Sequence, residues 1–366
     1  MPSRPFRLAI NTGGGDAPGL NAVIRAIVLS AESEGWEVFG IRKGYEGLFT
    51  GNGVVPLDSQ AVEGITNLGG TILGTTNRGN PLKWPRERAD GTIEIVDRSP
   101  ELVEAFREQE LDALIAIGGD GSLHIASALS DRGLPVVGVP KTIDNDLAAT
   151  QVTFGFHTAV QTATDAIDKL HSTAKSHERI MTVEVMGRHA GWIALYAGIT
   201  GSADAILIPE IPFRMEPLAR ALMQRYEEGM PRYGIVLVAE GARPEGGDPA
   251  IMEPGGDGAN PRYGGMGESV ARQLEELTGA ETRSLVLGHL QRGGPPTAYD
   301  RLLALRFGSA AVDLVAQGHF GCMVSLDPPD VRGVPLKEAV ETLKTVPPEG
   351  DVVRTARRLG ISFGDE

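Results

Sequence analysis

The chain has 366 residues and a formal net charge of -14 at pH 7. A chain of this length is too long to fold around a single hydrophobic core, so two lobes are expected. The acidic balance argues against nucleic acid and anionic membranes as partners, and an anionic substrate would need a local basic cluster. The single cysteine, Cys322, excludes an internal disulfide and fits a reducing cytoplasm, and no apolar run approaches the length of a membrane span.

The chain begins with a pattern of strand, glycine turn and helix. A buried strand is predicted at Arg7 to Asn11, a Gly-rich turn at Thr12 to Gly19 and a helix at Leu20 to Glu34. The turn lacks the dinucleotide fingerprint, because Pro18 stands where the third glycine is required. No Gly-Lys-Ser/Thr sequence occurs either, so the common P-loop is absent.

A second unit follows the first. A strand is predicted at Trp36 to Ile41 and a helix near Ala61 to Leu68, before the Gly/Thr-rich segment Gly69 to Arg78. This segment ends in a cation, but Thr, Asn and Gly also favour turns that hold no ligand. A surface loop therefore explains it as well as a binding site does.

The most informative turn follows the strand predicted at Ala113 to Ile117. Its sequence is Gly118-Gly119-Asp120-Gly121-Ser122, and a helix is predicted from Leu123 to Arg132. The glycines allow backbone N–H groups to approach a phosphate, and Asp120 can hold the divalent cation that accompanies a polyphosphate. The same tetrapeptide recurs at Gly255 to Gly258 without a preceding strand, so an ordinary Asp-Gly turn is an equally good explanation.

Two carboxylates follow the next predicted strand, at Pro135 to Val139. The segment is Pro140-Lys141-Thr142-Ile143-Asp144-Asn145-Asp146. In an extended backbone Asp144 and Asp146 point to the same side, about 7 Å apart. An Asx turn is the competing explanation. The position favours a site, because open parallel sheets bind ligands at the carboxyl ends of their strands.

The second half of the chain repeats the alternation of strands and helices. This alternation predicts an α/β architecture with parallel sheet in both halves. Helices are predicted from Phe154 to Ser176 and from Met186-Gly187-Arg188-His189 through Ala197. The predicted strands are Ile180 to Val185, Ala205 to Ile208, Gly234 to Ala239 and Arg283 to Leu287. The Gly- and Pro-rich stretch Arg243 to Gly265 is predicted to be a surface excursion, and Leu336 to Glu366 a short helix and a polar end with no visible chemistry.

Five ordered blocks together resemble the 6-phosphofructokinase family, in the branch that mixes users of ATP and of pyrophosphate. The blocks are Gly14-Gly15-Asp16-Ala17-Pro18-Gly19, Gly118-Gly119-Asp120-Gly121-Ser122, Pro140 to Asp146, Glu184-Val185-Met186-Gly187-Arg188 and Gly288-His289-Leu290-Gln291-Arg292-Gly293-Gly294. The resemblance implies two Rossmann-like lobes, each a mostly parallel sheet flanked by helices, with the active site in the cleft between them. It implies phosphoryl transfer to the 1-hydroxyl of fructose 6-phosphate. The expected lobes are 1–155 with 291–341 for the donor and 156–290 with 342–366 for the sugar phosphate.

The resemblance also implies a role for each matching residue. Asp144 would take the hydroxyl proton, Asp120 would contact Mg²⁺ and Arg188 would neutralise the transferred group. The other residues at the site of transfer would be Lys141, Thr142 and Asp146. The donor would meet Gly14, Gly15, Arg78, Gly119, Gly121 and Ser122. The sugar phosphate would meet Thr142, Asp144, Asp146, Arg179, Met186, Gly187, Arg188, Glu240, Arg283, His289 and Arg292.

Two further expectations follow from the resemblance. In the family, the residues matching Arg179 and Arg283 come from a neighbouring subunit, which implies a homo-oligomer, either a dimer or a tetramer. Gly121 is typical of ATP users and Lys141 of pyrophosphate users. An added carboxylate excludes ATP, whereas an added ammonium tolerates either donor, so ATP is the expected donor and pyrophosphate the alternative.

Two other classes of function are compatible with alternating strands and glycine turns. Pro18 and the Thr142 to Asp146 segment speak against an NAD-dependent oxidoreductase. A silent sugar-phosphate sensor is disfavoured, because Asp120, Asp144 and Arg188 are all intact.

Overall fold

A computed structural model describes residues 4–76, 79–88, 90–227, 229, 232–253 and 262–366. The strands are β1 (Arg7–Thr12), β2 (Glu37–Ile41), β3 (Val54–Leu57), β4 (Trp84–Glu87), β5 (Ile93–Val96), β6 (Ala113–Gly118), β7 (Val136–Pro140), β8 (Ile180–Val185), β9 (Ala205–Leu207), β10 (Gly234–Ala239), β11 (Ile251–Glu253), β12 (Arg262–Tyr263), β13 (Thr282–Val286), β14 (Cys322–Asp327) and β15 (Asp330–Pro335).

The helices lie between these strands. They are α1 (Leu20–Ser33), α2 (Ser99–Glu108), α3 (Asp120–Asp131), α4 (Phe156–His177), α5 (Trp192–Thr200), α6 (Met215–Glu227), α7 (Met266–Thr278), α8 (Ala298–Ala316), α9 (Leu336–Glu341) and α10 (Asp351–Arg358). Short 3-10 helices cover Glu46–Phe49 and Gly288–Arg292. Among the described residues, no helix is both long and apolar enough to cross a membrane.

The larger sheet has the strand order β15-β14-β7-β6-β1-β2-β3. Its central strands are parallel, while β3 and β15 pair antiparallel at the two edges. The chain continues from β1 to β2 on one side and later places β6 on the other side of β1. The strand order therefore reverses between β1 and β6, and such a switch point is where open α/β sheets bind ligands.

The smaller sheet has the order β13-β8-β10-β9, and its strands are all parallel. Strand β13 forms one edge of this sheet. The chain enters this sheet from the long helix α4 and returns to the larger sheet through α8. Two sheets whose strands are mostly parallel, flanked by helices, confirm the predicted α/β fold class.

Burial on both faces explains the continuous apolar sequences of the central strands. Every residue of β6 and of β7 is buried, as expected for a parallel sheet covered by helices on both sides. Helix α1 packs closely on α8, where a β-carbon on Gly308 would lie 2.8 Å from the carbonyl oxygen of Val23. The carboxyl ends of the strands are consequently held in a fixed framework.

One predicted helix begins later than expected and another is wrong. Met186 to His189 belong to the loop after β8, and α5 begins only at Trp192. Turns replace the helix predicted near Ala61 to Leu68. Gly64 has a φ of +70°, which no helical residue adopts, and the Leu68 side chain is 48% exposed. The apolar residues of this segment have a spacing that favours a helix, but only some of them, such as Val62, are buried in the core.

Candidate active site

The turn after β1 and the turn after β6 touch each other. The amide N–H of Gly13 donates to the carbonyl oxygen of Ile117 at 2.9 Å. A β-carbon on Gly13 would lie 2.6 Å from the Ser122 Oγ atom, so a larger residue would displace that hydroxyl. The backbone of Gly14 has a φ of +77°, which favours glycine. The two predicted phosphate turns therefore form one surface at the switch point.

The amino terminus of α3 borders this surface. The helix begins at Asp120 after Gly119, and no side chain caps its first N–H groups. Uncapped N–H groups and the helix dipole favour an anion at this position. A β-carbon on Gly121 would have no atom within 4 Å, so the space beside the first turn is open.

Lys141 lies between these turns and the carboxylates. Its side chain is only 3% exposed, and its ammonium group donates to the carbonyl oxygen of Gly15. Burial, together with the charge of Arg292, lowers the pKa of this amine to about 8, although three aspartates nearby oppose the shift. One of these aspartates is Asp16, a residue to which the sequence assigned no role.

Asp144 and Asp146 bring two carboxylates into the same small space. Each has one buried carboxylate oxygen without a hydrogen-bond partner among the described residues. Burial and the neighbouring Asp146 raise the pKa of Asp144 to about 6, and burial raises the pKa of Asp146. Thr142 orders the segment, because its hydroxyl accepts the amide N–H of Asp144 at 3.1 Å. Buried acceptors without partners are expected where a ligand supplies the missing bonds.

Arg292 joins the two sheets at this site. It lies at the end of the 3-10 helix that follows β13, in the smaller sheet, and its Nη1 donates to the Asp16 carbonyl oxygen at 3.1 Å in the turn after β1. A β-carbon on Gly15 would lie 2.7 Å from this Nη1 atom. The guanidinium therefore fills the gap between the two halves of the site.

The smaller sheet also contributes Glu240, Arg188 and His189. Burial and the charge of Asp144 raise the pKa of Glu240 to about 7, with Arg188 and Arg292 acting in the opposite direction. The Arg188 Nε atom is buried without a hydrogen-bond partner among the described residues, and the guanidinium carbon lies 4.7 Å from the centroid of the Tyr263 ring. Burial lowers the pKa of His189 next to Arg188.

Arg179 and Arg283 lie elsewhere in this chain. Arg179 directly precedes β8 and Arg283 is the second residue of β13, so both stand at the amino ends of strands whose carboxyl ends face the site. Both pair with the carboxylate of Glu281, Arg179 with an N–O distance of 2.8 Å. The length of a strand, about 3.3 Å per residue, separates them from Arg188 and His289.

The remaining predicted residues differ in their positions. Met186 and Gly187 follow β8 at the site edge of the smaller sheet, Met186 partly exposed and Gly187 buried, whereas His289 is exposed on the 3-10 helix. Arg78 lies outside the described residues. Sequence reasoning gave no role to Lys344, whose ammonium contacts the Asp144 to Asp146 segment, because no motif surrounds it.

The donor set fits a Mg²⁺ ion that arrives with a nucleotide. After burial, the nearby charge of Asp120 also contributes to the raised pKa of Asp146, and Asp146 has a buried oxygen free of hydrogen bonds among the described residues. Within the described ranges, no group of three or more His, Cys, Asp or Glu side chains could form a complete protein cage for a metal. Mg²⁺ typically uses one or two carboxylates together with substrate phosphates and water, which matches this arrangement.

The chain is similar in sequence to known phosphofructokinases. Residues 7–315 match the family described as Phosphofructokinase. An ATP-dependent 6-phosphofructokinase of Chloroflexus aurantiacus is 53% identical over 366 residues, which is 100% of both chains. A pyrophosphate--fructose 6-phosphate 1-phosphotransferase of Amycolatopsis methanolica is 52% identical over 347 residues, or 94% of this chain and 97% of that protein.

A solved structure agrees with these relatives. The crystal structure of Pichia pastoris phosphofructokinase in the T-state superimposes with a TM-score of 0.80 and 32% identity. It covers 93% of this chain, which in turn spans 36% of the Pichia chain. The matching sequence, the relatives of equal length and the shared fold all lead to one assignment: this chain belongs to the phosphofructokinase family.

Proposed function

We propose that this chain is an ATP-dependent 6-phosphofructokinase, which transfers the γ-phosphoryl group of ATP to the 1-hydroxyl of fructose 6-phosphate. The observation that carries the proposal is the pair Asp144 and Asp146, whose buried oxygens lack partners beside the glycine turns and Arg292. A polyphosphate would lie on the turns, and the accepting hydroxyl would lie at the carboxylates. Phosphoryl transfer requires this combination of positioning, cationic groups and one base.

Asp144 acts as the base. Its pKa of about 6 leaves it ionised at pH 7 and more basic than an exposed aspartate. It accepts the proton of the 1-hydroxyl while that oxygen bonds to the γ-phosphorus and the bond to the leaving ADP oxygen breaks. The Thr142 hydroxyl accepts the backbone N–H of Asp144 and so helps to hold it in place, and Asp146 lies beside it. Arg188, Lys141 and the N–H groups of the turns balance the charge of the transferred group.

Asp120 would hold Mg²⁺, which supplies charge neutralisation of the donor phosphates when it is bound. Gly14, Gly15, Gly119 and Ser122 border the same space, and their backbone and hydroxyl groups would contact these phosphates. Arg78 would also contact the donor, and this role rests only on the resemblance of the sequence to the family.

The sugar phosphate would bind at the smaller sheet. Arg292 and Arg188 supply positive charge in an otherwise acidic chain, and Glu240 can bond to a sugar hydroxyl. Met186, Gly187 and His289 border the same strand ends and would complete the contacts to fructose 6-phosphate. A cytoplasmic location is part of this proposal, and Cys322, which has no disulfide, is compatible with it.

A second copy of the chain would complete the site. Arg179 and Arg283 lie at the amino ends of β8 and β13 and pair with Glu281, whereas Asp144 lies at the carboxyl end of a strand in the larger sheet. The edge strand β13 exposes Arg283 to Val286, and Val286 is 55% exposed. An apolar edge next to two arginines suits a homo-oligomer in which each copy lends these arginines to its neighbour.

Mixing two inactive variants tests this arrangement. Asp144→Asn removes the base, and Arg283→Ala removes a shared arginine, so each homo-oligomer should be nearly inactive. Subunit exchange between them creates sites that combine an intact Asp144 with an intact Arg283, and fructose 6-phosphate turnover should reappear. If mixing under conditions that exchange subunits restores nothing, Arg283 serves its own chain or none.

The donor assay is the main test of the proposed function. The open space beside Gly121 supports ATP, whereas Lys141 and the relative from Amycolatopsis methanolica favour pyrophosphate as the second candidate. Purified protein with fructose 6-phosphate and Mg²⁺ is expected to turn over faster with ATP than with pyrophosphate at equal concentration. If fructose 6-phosphate is turned over with pyrophosphate but not with ATP, the chain is a pyrophosphate-dependent phosphotransferase. If neither donor supports turnover, the kinase proposal is refuted.

A further inference from the structure

We propose that Lys344 is a positioning residue for phosphoryl transfer, which fixes the Asp144 to Asp146 segment and connects it to the loop that carries Arg188. This inference rests on the proposed function. Lys344 lies in the connection between α9 and α10, in the part of the chain where the sequence shows no motif.

The ammonium group of Lys344 holds the carboxylate segment through the residue between the two carboxylates. Its Nζ donates to the Asn145 Oδ1 atom at 2.9 Å and to the carbonyl oxygens of Thr150 and Gln151 at 3.0 Å each. The backbone N–H of Lys344 donates to the Asp146 carbonyl oxygen at 2.8 Å. An ammonium has three N–H donors, and all three are used by the protein.

Asn145 needs this support, because its backbone is left-handed with a φ of +52°. Its side-chain oxygen accepts the Thr153 N–H at 3.2 Å as well as the Lys344 ammonium. The conformation of Asn145 sets the direction in which Asp144 and Asp146 project on either side of it. A free Asn145 side chain would allow the backbone to relax toward more common conformations.

The same short segment reaches the loop after β8. The Trp192 Nε1 atom donates to the Lys344 carbonyl oxygen at 2.9 Å. The Val346 N–H donates to the Glu210 carboxylate at 2.7 Å, and that carboxylate also accepts the Gly191 N–H at 3.0 Å. Gly191 follows Arg188 by three residues in the sequence. Residues 344–346 thus bond directly to the Asp144 to Asp146 segment, and through Trp192 and Glu210 they reach the end of the loop that carries Arg188.

Lys344 is expected to act on the rate of transfer and not on substrate affinity. Its donors are all occupied by protein atoms, so none remains for a substrate. Small errors in the placement of reacting groups lower the rate of the chemical step steeply. Loss of the ammonium should therefore displace the base without removing a contact to fructose 6-phosphate or ATP.

Lys344→Met is the test variant, and Lys337→Met is its matched control. Both changes remove one ammonium group, but Lys337 pairs with Asp131 on the exposed face of α9, at 3.0 Å. Lys344→Met should lower kcat on the order of a hundredfold with nearly unchanged KM values, as expected for an error of about 1 Å in placement. Lys344→Arg should recover part of the loss, and Lys337→Met should match the wild type.

Asn145→Gly tests the same contact from the other side, because glycine accepts the left-handed backbone but removes the Oδ1 atom. Its loss of kcat should not add to that of Lys344→Met in the double variant. Additive losses, a loss confined to KM, or a kcat equal to that of Lys337→Met would overturn the inference.

Hydrogen–deuterium exchange separates this inference from the kinase proposal, because it requires no turnover. Amide exchange in residues 142–153 should be faster in Lys344→Met than in Lys337→Met, while α1 and β1 exchange as in the wild type. Unchanged exchange in 142–153 contradicts the positioning role even if the enzyme is active. Faster exchange in a protein that phosphorylates nothing would instead keep the structural link and refute the proposed function.

Discussion

Replacing Asp144 with Asn is expected to lower kcat for fructose 6-phosphate phosphorylation by about 10²–10⁴-fold, the usual contribution of a positioned proton acceptor. Asparagine has the size of aspartate but cannot take the hydroxyl proton. The wild-type carboxylate is well suited to this task, because burial and the Asp146 charge raise its pKa to about 6. Steady-state kinetics at saturating ATP measure the loss.

Asp131→Asn is the matched control for this variant. Asp131 is the last residue of α3, where it pairs with Lys337, so loss of its carboxylate should leave kcat unchanged. Calorimetric titration should show that Asp144→Asn still binds fructose 6-phosphate. The assignment of Asp144 as base is wrong if Asp144→Asn turns over as fast as the control, or if its defect is entirely in KM.

The pH dependence provides a second readout of the same carboxylates. Asp144 and Asp146 influence each other, so they titrate as a pair, and kcat/KM of the wild type should fall below about pH 6. The residual activity of Asp144→Asn should lack this acid limb. A limb of the same shape in both proteins would assign it to another group, such as Glu240.

Asp144→Asn should also stabilise the fold at neutral pH. The folded-state pKa of about 6 lies above the ordinary aspartate value of 3.8, so the folded protein binds more protons in this range. The stabilising contribution of protonated Asp144 is present at low pH and lost as the pH rises toward 6. Urea unfolding at pH 7 should give a free energy of unfolding higher by about 1–2 kcal/mol for the variant, with a smaller difference near pH 4.

Gly121→Asp is expected to lower kcat/KM for ATP by roughly 10–100-fold, because a new carboxylate about 5 Å from a phosphate charge costs up to about 3 kcal/mol at an effective dielectric constant of 20. The side chain can be accommodated, since a β-carbon on Gly121 meets no atom within 4 Å. Turnover with pyrophosphate should fall less than turnover with ATP. Parallel assays with the two donors measure the ratio.

Gly121→Asn separates charge from bulk, because it adds the same volume without the negative charge. We expect it to retain more ATP activity than Gly121→Asp, and both variants should melt at similar temperatures. Equal loss in the two variants would show that bulk excludes the donor. If Gly121→Asp keeps the wild-type kcat/KM for ATP, the donor does not pass this position and Gly121 no longer supports ATP over pyrophosphate.

Local patterns predicted most of the central elements. The strands at the centre of each sheet were predictable because both of their faces are buried, which leaves uninterrupted apolar residues such as those of β6. Segments governed by distant contacts were less predictable. Turns occupy Ala61 to Leu68, although the residues suggest a helix, and β15 becomes a strand by pairing with β14 at the sheet edge.

The glycine turns and the Asp144 to Asp146 segment are recognisable from the amino-acid sequence alone. These features are local: a positive φ at Gly14, close contact at Gly13 and two carboxylates two residues apart are set by residue type and spacing. The resemblance to one family rested on the same short blocks. A glycine turn after a buried strand is therefore recognisable without knowledge of the remaining chain.

How these parts meet depends on contacts between elements that are remote in the sequence. Arg292 reaches Asp16 across the two sheets, and Lys344 holds Asn145 from a segment 199 positions away. The raised pKa of Asp144 depends on burial by surrounding elements, and the direction of β13 places Arg283 at the amino end of that strand, opposite its carboxyl end near His289. Such contacts depend on how helices and sheets pack, and no local pattern encodes the distance between two elements that are remote in the sequence.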